Sequence, residues 1–165
     1  MHLAAALATY LAPGLRFFEE GQLEGRRIRT NIHLSRRETE PVNAQLKLLY
    51  ERLLDLLKRH EVRDGTWRLL DVREAWPGNA TARQFLAYSW EIEGSRLVAV
   101  VNLGPGKAQG KVTLPWTGIA TKLFRFTDLL TGQAYDWRGT DLAADGLFVE
   151  RPAWGCHVFE MSVIG

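Results

Sequence analysis

A chain of 165 residues that is 46% hydrophobic and 24% charged has the composition of a globular protein, neither disordered nor collagen-like. The formal net charge is only +2 and arginines alternate with glutamates, so the sequence predicts no nucleic-acid partner. No apolar run approaches the roughly 20 residues that cross a bilayer, so no membrane partner is expected, and the single cysteine, Cys156, favours a reducing cytoplasm.

The first element that the sequence predicts is the end of a helix over residues 2–11. This stretch alternates Ala and Leu without a basic start, which argues against a signal peptide, and Pro13 and Gly14 stop the helix. The apolar run "GLRFF" at 14–18 predicts a short buried strand. A stretch that mixes glutamates with arginines follows it.

A long amphipathic helix is predicted over residues 40–60. Thr39 or Glu40 can cap it, Pro41 is tolerated in its first turn, and basic residues at 58–60 favour its C-terminal end. Its apolar positions recur at helical spacing and form a stripe that requires a large apolar partner. They are Val42, Leu46, Leu49, Leu53, Leu56 and Leu57.

From about residue 66 the hydrophobic period becomes that of a strand. "QFLAYSWEI" places alternate apolar side chains on one face, "RLVAVVNL" is typical of a central strand, and "KVTLPW" alternates again. Turn signals recur every 10 residues or so, roughly the spacing of an antiparallel sandwich or barrel. We expect about eight strands and divide the chain into a first domain at 1–63 and a β domain at 64–165.

The order of these elements resembles the C-terminal end of the α-amylase family, glycoside hydrolase family 13. The similarity rests on "APGLRFFEEGQLEGRRIRTNIHLSRR" between two helices, and on "FTDLLTGQAY" and "WGCHVFEM" in the β domain. It implies a mainly β fold with an N-terminal helical part: an antiparallel β-sandwich preceded by a remnant of a (β/α)8 barrel. Residues 2–11 would end the seventh barrel helix, 14–19 would be the eighth strand, 20–38 its loop, 40–60 the eighth helix and 66–165 the sandwich.

The resemblance also implies that this chain holds no catalytic residue, no metal and no cofactor. Retaining glycosidases use two carboxyl groups, and this family adds a third. The resemblance puts them on barrel strands four, five and seven, before the region that matches. The loop after the eighth strand remains, at the face where barrel enzymes place their sites. Its candidates for touching sugar or bracing the catalytic carboxylates are Gln22, Glu24 and Arg26.

Two tryptophans are candidate platforms for sugar rings. Trp76, in "AWPGNAT", and Trp137, in "YDWRGT", lie in turn-rich stretches, with packing at the sandwich ends as the alternative interpretation. Trp90 and Trp154 are expected in the core, Trp154 at the start of the final strand.

The charged side chains have ordinary structural interpretations. Glu19, Glu20 and Glu24 could form an acid/base pair, but ion pairs with neighbouring arginines are favoured. Asp55 and Arg59 predict a surface pair one helical turn apart. The arginines of the first group are Arg26, Arg27 and Arg29.

Three other features carry no predicted chemistry. The histidines lack the spacing and neighbouring carboxylates of a metal site. Asn79-Ala80-Thr81 matches a glycosylation acceptor, but that tripeptide is common by chance. Cys156 lies in an apolar strand context and is expected to be buried and inert.

The preferred function is that of a C-terminal accessory and structural domain of an α-amylase-family glycosidase. α-Glucan or maltooligosaccharide would be its partner through the parent enzyme, and the fragment itself would be inactive. The alternatives are a carbohydrate-binding module for α-glucans and a glycosidase chain completed by a partner polypeptide. Apolar surface left without a barrel predicts self-association through residues 1–60, possible as a homo-oligomer, or folding of this segment onto the sandwich.

Overall fold

The computed structural model describes residues 1–28, 33 and 38–165. The helices of this part of the chain are α1 (His2–Tyr10), α2 (Ala44–Lys58), α3 (His60–Asp64) and α4 (Gly139–Asp145), with a 3-10 helix at Ala80–Gln84. The strands are β1 (Thr66–Leu70), β2 (Val72–Glu74), β3 (Phe85–Ile92), β4 (Ser95–Asn102), β5 (Ala108–Val112), β6 (Leu123–Asp128), β7 (Ala134–Arg138), β8 (Leu147–Arg151) and β9 (Cys156–Val163).

The strands form the predicted antiparallel sandwich. One sheet has six strands in the order β1-β3-β4-β9-β6-β7, and the other has three in the order β2-β5-β8. Every pair of neighbours is antiparallel. The fold class expected from the sequence is therefore confirmed, with slightly more strands than expected because β2 is a short separate strand.

The central strands of the six-stranded sheet, β3, β4 and β9, are buried on both faces over most of their length. In β4, Val98 and Val100 point into the sandwich core, between the sheets, whereas Leu97 and Val101 point into a second, helix-facing core. Strands buried on both faces have continuous apolar sequences. The run "LVAVV" accordingly lies in β4, between β3 and β9, as its pattern predicts.

The helices α1 and α2 cover the outer face of the six-stranded sheet. Tyr88 Oη donates a hydrogen bond to the carbonyl of Leu7 at 2.8 Å, and Trp90 Nε1 donates to that of Leu11 at 2.8 Å. Leu53 of α2 is buried in the same helix-facing core. Folding of the N-terminal region onto the sandwich is thus observed, whereas the division at residue 63 stays a prediction. Within the described residues, no helix is both long and apolar enough to cross a membrane.

The prediction of a buried strand at 14–18 is wrong. The segment has no regular secondary structure, and no strand of the described residues pairs with it. The side chains of Leu15 and Phe17 are 97% and 76% exposed. An isolated segment cannot form a strand because its amides and carbonyls need a hydrogen-bonded neighbour, and the sandwich strands are paired among themselves.

The predicted start of α2 is also wrong. Helix α2 begins at Ala44, and the side chain of Asn43 caps it by accepting a hydrogen bond from the amide of Leu46 at 3.1 Å. Glu40 cannot serve as this cap because its carboxylate accepts from the backbone amides of Arg27 and Ile28 at 2.8 and 3.1 Å.

Two smaller predictions fail where the chain leaves a regular element. Asp55 pairs with Lys58 at 2.9 Å rather than with Arg59, because the backbone turns out of the helix at Arg59 (φ −62°, ψ 138°). Trp154 does not begin the last strand: it lies in the turn before β9 with a positive φ of 58°. Trp90 is in the core, as expected.

Candidate functional site

The loop that carries the first three candidate residues is a series of tight turns. The amide of Gln22 donates to the carbonyl of Glu19 at 3.0 Å, and that of Arg26 donates to Gly21 at 2.9 Å. Gly25 has a φ of 68°, and a Cβ there would lie 2.7 Å from Leu46 Cδ1. Glycine at 25 therefore lets the loop pack directly on the start of α2.

Gln22 joins this loop to both long helices. Its Nε2 donates to the hydroxyl oxygens of Tyr10 at 2.6 Å and Tyr50 at 2.9 Å. Its Oε1 accepts from the amide of Glu19 at 3.1 Å. The hydroxyl oxygen of Tyr50 also lies 3.0 Å from His2 Nε2. Both ends of the Gln22 amide thus have partners within the chain, and a role towards sugar stays a prediction.

Glu24 and Arg26 lie in the same loop as Gln22. The carbonyl of Glu24 accepts from the amide of Asn43 at 2.9 Å, which fixes the loop to the cap of α2. The Nε of Arg26 is buried and has no hydrogen-bond partner among the described residues. The ion pairs expected for this loop stay a prediction, and Arg29 lies outside the described residues.

Trp76 is exposed near the end of the smaller sheet. Its side chain is 51% exposed, two residues after β2, and lines a crevice of about 460 Å³. Asp145 also lines the crevice: its carbonyl accepts from Arg73 at 3.0 Å and its carboxylate pairs with Lys111 at 3.3 Å. A role of Trp76 towards sugar stays a prediction.

Trp137 does not share this environment, and its placement in a turn is wrong. It lies within β7, opposite Phe124 of β6, and is partly buried against the sandwich core. The residues after it, "GT", begin α4 instead of a turn. The structure therefore separates the two candidate tryptophans, one in a loop after the smaller sheet and one within the larger sheet.

A buried ionic cluster, which the sequence analysis missed, joins α3 to the larger sheet. Glu61 is fully buried and accepts hydrogen bonds from Arg59 Nη2 at 2.7 Å and Ser95 Oγ at 2.7 Å. Arg59 also pairs with Glu160 of β9. Burial alone would raise the pKa of Glu61, but these hydrogen bonds outweigh it and lower the pKa to about 2. Arg59 and Glu61 are close in sequence, but no sequence signal links them to Ser95 and Glu160, which are 34 residues from Glu61 and 101 residues from Arg59 along the chain.

A second buried cluster joins the β6–β7 turn to β9. His157 Nδ1 lies 2.9 Å from Asp128 Oδ2, and His157 Nε2 lies 3.1 Å from Arg151 Nη1. Because arginine can only donate, Nε2 accepts and Nδ1 carries the proton that is donated to Asp128. Burial opposes ionisation of Asp128, but its hydrogen bonds from His157, Thr131 and two backbone amides lower its pKa.

The expectation that the histidines lack carboxylate neighbours is therefore wrong for His157. Its partner, Asp128, is distant in sequence, and only the pairing of β6 with β9 brings the two together. Both nitrogens of the ring are occupied, so the cluster has a structural role. Within the described residues, no group of three His, Cys, Asp or Glu side chains is arranged to hold a metal ion.

Cys156 and Asn79 also have structural environments. The Cys156 thiol is buried as expected, and burial raises its pKa to about 11, so it is a poor nucleophile at neutral pH. The side-chain oxygen of Asn79 accepts from the amide of Thr81 at 3.1 Å and starts the 3-10 helix. The asparagine of the acceptor motif is thus used to cap a helix and is almost fully buried.

The exposed apolar side chains of the N-terminal region form what we call the N-terminal apolar face: Leu15, Phe17, Ile28 and Val42. In the segment at 14–18, Arg16 and Phe18 turn inward, where Arg16 Nε donates to the carbonyl of Tyr10 at 2.7 Å and Phe18 stacks on the ring of Tyr10 at 4.3 Å. Leu15 and Phe17 alternate with them and point outward. This alternation is that of a strand with one face covered and the other free.

Solved α-amylases contain the same fold. AmyB from Thermotoga neapolitana, described as a noncanonic maltogenic α-amylase, matches 99% of this chain and 36% of its own with a TM-score of 0.70 at 10% identity. The α-amylase from Geobacillus thermoleovorans, solved with acarbose, matches 97% of this chain and 32% of its own with a TM-score of 0.69 at 14% identity. No protein-family model and no curated protein matches the sequence.

The likeness extends over the helical region as well as the sandwich, since it covers nearly the whole chain. The chain spans about a third of the length of these enzymes. The fold is therefore that of an α-amylase C-terminal region, a β-sandwich with helices on its outer face.

Proposed function

We propose that this chain is the C-terminal part of an α-amylase-family glycosidase acting on α-glucans, in which it supports the catalytic domain without cleaving glycan itself. The observation that carries the proposal is the match to two α-amylases over 97% and 99% of the chain. A sandwich alone is a common architecture, but the same helices on the same face of the sandwich are a more specific combination.

The N-terminal apolar face supports a docking role. The backbone at 14–18 forms no hydrogen bond with another backbone group of the described residues, although the carbonyl of Phe17 accepts one from the hydroxyl of Tyr10 at 3.3 Å. Leu15 and Phe17 point away from the chain's own core. A segment whose amides are not paired with another backbone and whose apolar side chains point outward can accept a neighbouring strand. The catalytic domain of the parent enzyme is the partner we propose, and a second copy would occupy the same face when that domain is absent.

The clusters of buried charge are consistent with a domain that is structural rather than catalytic. Retaining glycosidases need carboxyl groups about 5 Å apart, with one pKa raised to supply the acid. The carboxyl groups of Glu61 and Asp128 are instead buried in ionic clusters, and the pKa of each is lowered. Neither can deliver a proton to a leaving group at neutral pH.

The first test combines a reducing-sugar assay on soluble starch with calorimetric titration of maltoheptaose. We expect neither sugar release nor binding heat from the chain alone. Release of reducing sugar would overturn the proposal. A control with the Geobacillus enzyme establishes that the substrate and assay conditions support hydrolysis.

The second test measures self-association by sedimentation over a range of concentrations. We expect concentration-dependent dimers that the double variant Leu15→Lys with Phe17→Lys returns to monomers. Leu69→Lys is the matched control, because Leu69 is 62% exposed on β1 and lies outside the N-terminal apolar face. Monomers at every concentration, or equal effects of both changes, would contradict docking through this face.

The alternative function, a carbohydrate-binding module for α-glucans, is favoured by the exposed ring of Trp76. If maltoheptaose gives heat of binding, Trp76→Ala should abolish it. Trp137→Ala is less informative because that ring packs partly against the sandwich core. Binding that survives Trp76→Ala would remove the observation that favours this alternative.

A further inference from the structure

A cavity separates α2 from the turns at one end of the sandwich, and the proposed function does not use it. Its volume is about 360 Å³, which falls within the range of small-molecule sites. The walls come from α1, α2, the β6–β7 turn and the β8–β9 turn, and most of the lining is apolar. The apolar side chains include Leu48, Leu49, Leu130 and Trp154. We call this space the helix–sandwich cavity.

The charged residues that line the cavity are cationic. Arg52 and Arg151 line it beside the neutral Gln45 and Thr131, and none of its described lining residues is an Asp or Glu. Arg52 Nη1 lies 3.4 Å from the carbonyl of Leu130, which is a long contact for a hydrogen bond. Arg151 Nη1 lies 3.1 Å from His157 Nε2, and its Nε is buried without a hydrogen-bond partner among the described residues. A buried donor without an acceptor costs free energy, which an added acceptor recovers.

The backbone at Gly155 packs closely on Arg151 and Pro152. A Cβ at position 155 would lie 2.9 Å from Pro152 Cδ and 3.1 Å from Arg151 Nε, so a larger residue there would crowd the guanidinium group. Trp154, which also lines the cavity, has a φ of 58°, an uncommon conformation for a bulky side chain. Such local strain is concentrated at ligand-binding sites.

We propose that the helix–sandwich cavity binds a small amphipathic monocarboxylate. The apolar tail lies among the leucines of α2, and the carboxylate accepts hydrogen bonds from Arg52 and Arg151. An uncharged apolar ligand would leave the buried Nε of Arg151 without a hydrogen-bond acceptor, and a cationic ligand would meet charges of its own sign. A sugar would find few hydrogen-bond partners on walls that are mainly leucine.

The test uses octanoate as the probe, with 1-octanol and octylamine as neutral and cationic controls of the same length. Calorimetric titration should show octanoate binding at least about tenfold more tightly than 1-octanol, as expected of hydrogen bonds to charged groups. Octylamine should give no heat. Equal affinities for octanoate and 1-octanol, or no octanoate binding at millimolar concentration, would overturn the proposal.

Two substitutions at Leu48 test the position of the site without disturbing the fold. This side chain lines the cavity and is 50% exposed, so both Leu48→Glu and Leu48→Lys should fold normally. A glutamate at the entrance should weaken octanoate binding by about tenfold through like-charge repulsion, whereas lysine should leave it unchanged or tighter. Equal effects of the two variants would contradict an anion site.

Arg151→Gln tests the guanidinium itself. Loss of octanoate binding with an unchanged unfolding midpoint supports the assignment, and unchanged binding overturns it. If Arg151→Gln unfolds the protein because His157 loses its partner, the comparison of Leu48→Glu with Leu48→Lys still tests the anion site. Sedimentation of the Leu48 variants tests whether a second copy of the chain occupies the cavity instead. If the chain dimerises without any probe and Leu48→Glu disrupts the dimer, a second copy fills the cavity and the carboxylate proposal is overturned.

Discussion

The sandwich and the N-terminal region are stabilised in different ways, although they share one sheet. The sandwich core lies between two sheets that together provide both of its walls. The helix-facing core has the six-stranded sheet as one wall and α1 and α2 as the other. The sandwich is therefore complete with its own residues, whereas the helices depend on a surface that belongs to the sheet. Substitutions in the two regions should differ in size and in what they unfold.

The largest effect is expected in the sandwich core. Phe126 of β6 is fully buried, so Phe126→Ala should lower the free energy of unfolding by about 4 kcal/mol. Phe17→Ala in the N-terminal apolar face is the matched control and should change it by less than about 0.5 kcal/mol. Denaturant unfolding followed by circular dichroism measures both. Comparable losses would show that the sandwich is not the stabilising unit.

A smaller loss is expected where α3 joins the larger sheet. Glu61→Gln removes the buried charge that Arg59 faces and should cost about 3 kcal/mol. Asp136→Asn breaks the pair between Asp136 and Arg125, whose side chains are nearly half exposed, and should leave the denaturation midpoint nearly unchanged. Denaturation midpoints at neutral pH test the contrast, and equal costs would refute the importance of burial.

Acid should remove the contribution of Glu61. Its pKa falls from 4.5 in the unfolded chain to about 2 in the folded one, so the stabilisation is complete above pH 4.5 and is lost as the pH drops towards 2. The amount is on the order of 3 kcal/mol. The difference in unfolding free energy between the wild type and Glu61→Gln should therefore shrink between pH 6 and pH 2. A constant difference would mean that another group titrates.

The smallest effect concerns the attachment of α1. Tyr88→Phe removes the hydroxyl that donates to Leu7, and should cost about 1 kcal/mol. Hydrogen exchange should become faster in α1 and stay unchanged in β4. Tyr135→Phe, which removes an exposed hydroxyl bonded to Gln133, is the control. Faster exchange throughout both regions would show that α1 and the sheet open together.

Local pattern was sufficient to predict the β strands and the two N-terminal helices, whereas the choice of a sandwich over a barrel came from the family resemblance. Alternation predicted the strands, and the continuous run at 97–101 correctly indicated a central strand. Apolar spacing predicted α2 but not its cap. The carboxylate of Glu40 instead accepts hydrogen bonds from the backbone amides of residues 27 and 28. The residue that caps a helix is a polar residue whose side chain has no other hydrogen-bond partner. Contacts outside the helix determine which residue that is.

The contacts of the site residues follow from the fold more than from spacing in the sequence. Gln22, whose role towards sugar stays a prediction, contacts two tyrosines that lie on separate helices. Strand pairing brings His157 close to Asp128, whereas Glu61 has one partner nearby in sequence, Arg59, and one far away, Ser95. The apolar run at 14–18 predicted a strand because its residues favour burial. The sequence does not show whether another strand lies beside the segment to pair with it.

The central position of β4 also sets an order of events during synthesis. Its edges are covered by β3, which precedes it directly, and by β9, which pairs Val100 with His157 near the end of the sequence. As the ribosome makes the chain, one edge of an apolar, β-branched strand stays open until β9 emerges. Such a segment is prone to pair with other chains. In the nascent protein, "LVAVV" therefore stays open to incorrect pairing until β9 covers its second edge.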